Sequence, residues 1–284
     1  MSSSSVIYIS DFFLDDIIGG GELNDSVLCG LLSENNFLVK KIRSHLVTPS
    51  FLKKNQNCFY LISNFINLRK DVIDLLTEKA KYIIYEHDHK YLTTRDPGFF
   101  KNFLAPKSQI INYNFYKNSR SVITQTSFHK EIVKKNLELN NIESISGNLW
   151  ALRDLEFLKT LSGLEKNNRY AILNSNTRHK NTSESIRYCN AKGYEYALVS
   201  SSNYHDFLSK LGSNKKFVFF PKTPETLSRV VVEARMMNMG TIINKNIGAS
   251  YEKWFSLKGC DLVEYMVNKR QEIVERVIEI INEK

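Results

Sequence analysis

The chain has 284 residues, 42% hydrophobic and 12% aromatic, enough to bury a sizeable core, so a disordered chain is excluded. Its formal net charge of +9 favours a polyanionic partner, although Lys excess also arises as a solvated face in an Asn-, Ile- and Lys-rich sequence. No apolar run approaches the roughly 20 residues that cross a bilayer, and the polar opening Met1 to Ser5 lacks the features of a signal peptide.

In chain order, short β-branched and aromatic runs alternate with helical periodicity. Strands are predicted at Val6 to Ile9, Phe59 to Ile62, Tyr82 to Tyr85 and Val122 to Thr124, then at Tyr170 to Leu173, Tyr194 to Val199, Phe217 to Phe220 and Thr241 to Ile243. Helices are predicted at Asp25 to Leu32, Arg69 to Lys81, Phe128 to Leu139 and Thr226 to Met239, with an amphipathic one at Gln271 to Asn282. This alternation predicts an α/β chain of parallel sheets, and the break near 147–168 divides it into two doubly wound domains. The expected boundaries are 1–150, 151–270 and a closing helix 271–284, with the carboxyl ends of the two sheets facing a cleft. Cys29, Cys58, Cys189 and Cys260 lie far apart with no CxxC spacing, which argues against zinc and disulfides and for a reducing, cytoplasmic setting.

Four segments that follow strands carry chemistry. After Phe217 to Phe220 comes a Pro-containing loop, with Glu225, Thr226 and Leu227 at the predicted mouth of a helix and Glu233 two turns in. First-turn N–H groups there would receive a diphosphate, Glu225 would accept from sugar hydroxyls, and Glu233 would reach a ribose. After Tyr170 to Leu173 come Arg178 and Lys180, a pair of cations suited to a departing anion. Gly19, Gly20 and Gly21 follow the first strand, where adjacent glycines let backbone approach a phosphate or a sugar. Glu86, His87, Asp88 and His89 end the strand Tyr82 to Tyr85; on a continuing strand the two histidines would share a face, but no third ligand is evident and no metal is expected. Asp88 could act as a general base and His87 could hydrogen-bond a sugar.

Glu225 and Glu233 resemble the E-x7-E motif of retaining GT-B glycosyltransferases, the class of glycogen-synthase-like and bacterial mannosyl- and glucosyltransferase-like enzymes. The resemblance implies two Rossmann-like domains and a donor site in the C-terminal half, with Arg178 and Lys180 on the donor diphosphate and a Gly20-Gly21 loop facing the donor. It implies an Asp or His at the position of Asp88 and His87 beside the transferred sugar. It also implies a nucleoside-diphosphate sugar as co-substrate, UDP-glucose by default, no metal or other cofactor, and retention of configuration.

The acceptor stays open. From Asn35 to Lys70 there are basic residues and no acidic one, which makes Lys40, Lys41, Arg43, Lys53 and Lys54 candidate contacts to double-stranded DNA, as for phage DNA glucosyltransferases. Basic and aromatic residues between Lys90 and Lys130, among them Phe115 and Tyr116, would suit a flipped base or simply a core. The alternatives are a polysaccharide or lipid-linked glycan as acceptor, and a non-catalytic nucleic-acid-binding protein.

Overall fold

The computed structural model describes residues 5–283, so all of the polar opening except Ser5 lies outside the described residues. By its internal contacts the chain divides into two units, residues 1–149 with 270–284, and residues 150–269.

The first unit contains β1 (Ser5–Ser10), α1 (Gly20–Glu34), β2 (Leu38–Arg43), α2 (Pro49–Lys54), β3 (Phe59–Ile62), α3 (Lys70–Lys79) and β4 (Lys81–Tyr85). It continues through α4 (Tyr113–Asn118), β5 (Val122–Thr124), α5 (Ser127–Leu137) and β6 (Ile142–Ser144). Its six-stranded sheet has the order β2-β1-β3-β4-β5-β6, and every pair is parallel. The two-residue period of a strand divides β1 between two cores: Ile7 and Ile9 pack on one face with Ile62, Val72 and Phe115, while Val6 and Tyr8 pack on the other with Leu28, Leu32 and Ile83. Phe115 and Tyr116 are therefore core side chains and cannot stack a base.

The second unit contains α6 (Leu152–Ser162), β7 (Asn167–Leu173), α7 (Thr182–Lys192), β8 (Tyr196–Val199), α8 (Tyr204–Gly212), β9 (Asn214–Phe219), α9 (Arg229–Met236) and β10 (Gly240–Ile243). Its parallel sheet has the order β10-β9-β7-β8, so β7 stands between its two successors, as β1 does in the first unit. In both sheets the winding reverses direction on either side of the first strand, and ligands of doubly wound folds bind at the carboxyl ends of the strands at such a point.

Three predicted elements need correction, and two strands are additions to the predicted set. The helix expected from Asp25 begins at Gly20, so the glycines are its first turn and not a free loop; Leu23 N–H closes that turn on Gly19 O at 3.0 Å. The helix expected from Thr226 begins at Arg229, because Glu225 pairs as an isolated parallel bridge with Ile247 and Ser228 adopts φ 73°. That removes the helix mouth from Glu225, Thr226 and Leu227. The closing helix α10 runs Gly259–Asn282, about twice the expected span, with Leu262 and Met266 in the core of the second unit and Ile273, Val277 and Ile280 in that of the first. Finally, β2 and β6 were not anticipated; both are edge strands, and β2 is largely exposed, which blurs the apolar signal.

Candidate functional site

In the second unit, Lys180 follows β7 and Glu225 follows β9, the two strands between which the winding reverses. Lys180 Nζ donates to both carboxylate oxygens of Glu225, at 2.9 and 3.0 Å. Two residues 45 positions apart, singled out separately in the sequence, thus meet at the switch point. Glu225 is held by main chain as well: its N–H donates to Asn246 O at 2.8 Å, and its C=O accepts from Gly248 N–H at 2.9 Å. A Cβ at Gly248 would lie 2.3 Å from Thr226 O, so only glycine lets these segments lie together. That requirement leaves no pattern in a single sequence. Arg178 is exposed on the short turn that carries Lys180, whereas the Leu227 side chain is buried in the core.

Glu233 is only 2% exposed. Its Oε1 accepts from Trp150 Nε1 at 3.0 Å and Tyr204 OH at 2.6 Å, and lies 3.0 Å from Arg229 Nε. The Arg229 guanidinium also stacks on the Trp150 ring, 4.4 Å from its centroid. Burial pushes the Glu233 carboxyl up, while Arg229, Tyr204 and Trp150 pull it back. This second glutamate is therefore anchored in the core of its unit, with the described contacts all meeting one oxygen.

In the first unit, β4 ends at Tyr85, so the premise that His87 and His89 share a strand face does not hold. His87 Nε2 lies 2.6 Å from Asp25 Oδ1, and His87 Nδ1 lies 3.0 Å from Gln125 Nε2. The polarity of this chain is fixed at its far end. Leu149 N–H donates to Asn148 Oδ1, Asn148 Nδ2 then donates to Gln125 Oε1, and Gln125 is left to donate to His87 Nδ1. His87 Nε2–H consequently donates to Asp25, and neither ring nitrogen is available as the hydrogen-bonding group expected for a sugar. Gly21 lies against the ring, where an added Cβ would be 3.5 Å from it. His89 packs instead against Tyr91 and His129, and burial pushes its imidazole down to about 3, so it stays neutral. Among the described residues no group of three metal-ligating side chains forms.

Asp88 takes a cation on each oxygen: Lys90 Nζ at 2.7 Å on Oδ1, and the Arg95 guanidinium on Oδ2. Lys90 is itself buried and also donates to Glu86 Oε1 at 2.6 Å, while Tyr116 OH donates to the other Glu86 oxygen. Burial pushes the Asp88 carboxyl up, but Lys90 and Arg95 outweigh it and hold the group well below the usual carboxylate range. Such a carboxylate is a poor proton acceptor near neutral pH, though a firm anionic hydrogen-bond acceptor.

Asp25, Gln125, Asn148 and Lys90 were missed in the sequence. Asp25 did carry a signal: it shares the buried face of α1 with Leu28 and Leu32, and a carboxylate on an apolar stripe needs a partner.

The basic candidates do not form one track. Lys40 and Lys41 are neighbours on edge strand β2; Lys40 Nζ lies over Phe51 and Lys41 Nζ over Phe13, on opposite faces. Arg43 pairs with Asp16, which lies outside the acid-free segment, and Lys53 and Lys54 are exposed at the end of α2.

No protein-family model and no curated protein matches the sequence. Solved structures do resemble it in fold. The catalytic domain of starch synthase IV from Arabidopsis thaliana, bound to ADP and acarbose, superposes with a TM-score of 0.56 at 10% identity, over 99% of this chain and 94% of that one. HepE of Anabaena, in complex with UDP and glucose, gives 0.51 at 10% identity, over 98% and 92%. An alpha-glucosyltransferase in complex with UDP and a 13-mer DNA containing an HMU base gives 0.50 at 9% identity, over 99% and 100%. The fold is α/β and of the GT-B kind.

Proposed function

We propose that the chain is a glycosyltransferase that moves a hexose, glucose by default, from a nucleoside-diphosphate sugar, a uridine one by default, to an acceptor hydroxyl. The observation that carries this reading is the Lys180–Glu225 pair, which spans the switch point of the second unit on a GT-B fold. On donor binding the pair would part, the Lys180 ammonium turning to the diphosphate and the Glu225 carboxylate to sugar hydroxyls, with exposed Arg178 as a second cation. Glu233, anchored through one oxygen, would offer the other to a ribose. Four free cysteines support a reducing, cytoplasmic setting.

Retention of configuration is part of the proposal. A carboxylate clamped by Lys90 and Arg95 suits the orienting of an acceptor or sugar better than the proton abstraction that inversion requires. Asp88→Asn, which keeps an acceptor oxygen, should therefore leave measurable turnover. Proton NMR of the new glycosidic bond checks both points: the donor's anomer is expected, and the opposite anomer together with a dead Asp88→Asn variant would assign Asp88 as an inverting base.

The acceptor we favour is a saccharide hydroxyl and not DNA, because Lys40 and Lys41 serve opposite faces and Arg43 is neutralised by Asp16. A phosphate track would make the logarithm of the binding constant fall by about 0.9 per contact as the logarithm of salt concentration rises. Weak duplex binding with a shallow slope is expected, and a slope of several contacts that reversal of Lys53 and Lys54 abolishes would restore DNA as the acceptor.

A further inference from the structure

A cavity of about 320 Å³ lies within the first unit and takes no part in donor binding as proposed above. Its walls come from the segments that follow β3 and β4 and from the first turn of α3, so it lies beyond the carboxyl ends of those strands. Phe65, Leu68, Ile73 and Leu92 form its buried walls, and Ile66 and Ile111 stand at its mouth, 51% and 38% exposed. A cavity of this size, largely apolar with a few polar groups, is the usual form of a small-molecule site.

The polar groups of the lining decide what it can take. Each cation there already has a carboxylate: Lys70 pairs with Asp74 at 2.7 Å, Lys90 with Glu86 and Asp88, and Arg95 with Asp88. The Lys90 ammonium also lies over the Phe65 ring, 5.7 Å from its centroid. An anionic ligand would meet no unmatched charge and would lose its water to apolar walls, so a neutral one fits. The Thr93 hydroxyl donates to Gln109 Oε1. Asn112 is different: its half-buried side-chain amide has no hydrogen-bond partner among the described residues. It lines both this cavity and the open groove between α3 and α4, so it stands where the two meet. The cavity also borders Asp88, since Lys90 and Arg95, which line it, hold the two oxygens of that carboxylate. We propose that the cavity seats a neutral apolar group, a ring or a short chain, carried by the acceptor saccharide, with the Asn112 amide hydrogen-bonding the sugar beside it. The acceptor is then a glycoside of an apolar alcohol and not a bare polysaccharide. That the ligand is an acceptor rests on the transfer reading; that the cavity binds it does not.

The test is calorimetry, without donor, on methyl, phenyl and hexyl glucosides, which share one sugar and differ in the apolar group. Phenyl or hexyl glucoside is expected to bind at least about tenfold tighter than methyl glucoside, because burial of apolar area supplies the difference. A preference for phenyl identifies the group as a flat ring, and a preference for hexyl as a chain. The double variant Ile66→Ser, Ile111→Ser changes two exposed positions, so it should keep the thermal melt and lose most of that gain. Asn112→Gly accommodates the φ of 57° and removes the amide, and should weaken the tighter glucoside by about two- to tenfold. Equal affinity for the three probes, no binding of any, a gain that the double variant keeps, or an affinity that Asn112→Gly leaves unchanged would each overturn the proposal. UDP is titrated in parallel to separate the two readings. Stabilisation by UDP with no glucoside bound would overturn the cavity site and leave the transfer reading standing. A glucoside that binds as expected to a protein that ignores UDP and leaves UDP-glucose intact would overturn the acceptor role.

Discussion

Glu233→Ala is expected to lower the stability of the second unit by about 3 to 5 kcal/mol, the usual cost of removing one member of a buried ion pair. The carboxylate is 2% exposed and serves Arg229, Trp150 and Tyr204 through one oxygen. Deleting it takes the carboxylate away from a guanidinium that lies against the Trp150 ring, and removes the acceptor that Trp150 and Tyr204 share. For a unit of this size the melt should shift on the order of 10 °C, followed by calorimetry. Glu233→Gln keeps an acceptor oxygen and should cost only part of that, which makes it the better probe of donor contact. A ribose role predicts roughly a tenfold loss of UDP affinity in the Gln variant, within the range for a charged hydrogen bond. An unshifted melt for the Ala variant would contradict the burial and pairing described for this residue.

Lys180→Ala should behave in the opposite way. Its ammonium is 28% exposed and its bridge to Glu225 is near the surface, so the folded state loses at most about 1 kcal/mol. Turnover should fall by about 100- to 1000-fold, because a cation aimed at a leaving diphosphate stabilises charge that grows in the transition state. Steady-state kinetics with UDP-glucose gives the comparison directly. Lys180→Arg, which keeps the charge on a longer and planar group, should recover part of the rate. A variant with normal turnover would move the phosphate site away from β7.

Much of the fold was legible because buried parallel strands are short, apolar and β-branched. Val6 to Ile9, Phe59 to Ile62 and Phe217 to Phe219 are strands within β1, β3 and β9, where both faces are covered. β2 escaped notice because an edge strand keeps Lys40, Lys41 and Arg43 in water. At the candidate site, Lys180 and Glu225 could each be named from strand-then-loop context, but their meeting depends on the order β10-β9-β7-β8, which local pattern does not encode. The helix start at Arg229 was missed for a related reason: pairing of Glu225 with Ile247 is a tertiary contact that overrides a good helical pattern. The partners of His87 were beyond reach as well, since Asp25 and Gln125 come from 62 and 38 residues away.

Sugar release is the most direct measure of the central claim. Purified protein is incubated with UDP-glucose without acceptor, and free UDP and glucose are followed by NMR, with Lys180→Ala in parallel. The proposal predicts slow release of UDP and glucose by the parent and none above background by the variant, together with thermal stabilisation of the parent by UDP. Intact UDP-glucose after long incubation, with a melt that UDP does not move, would contradict it.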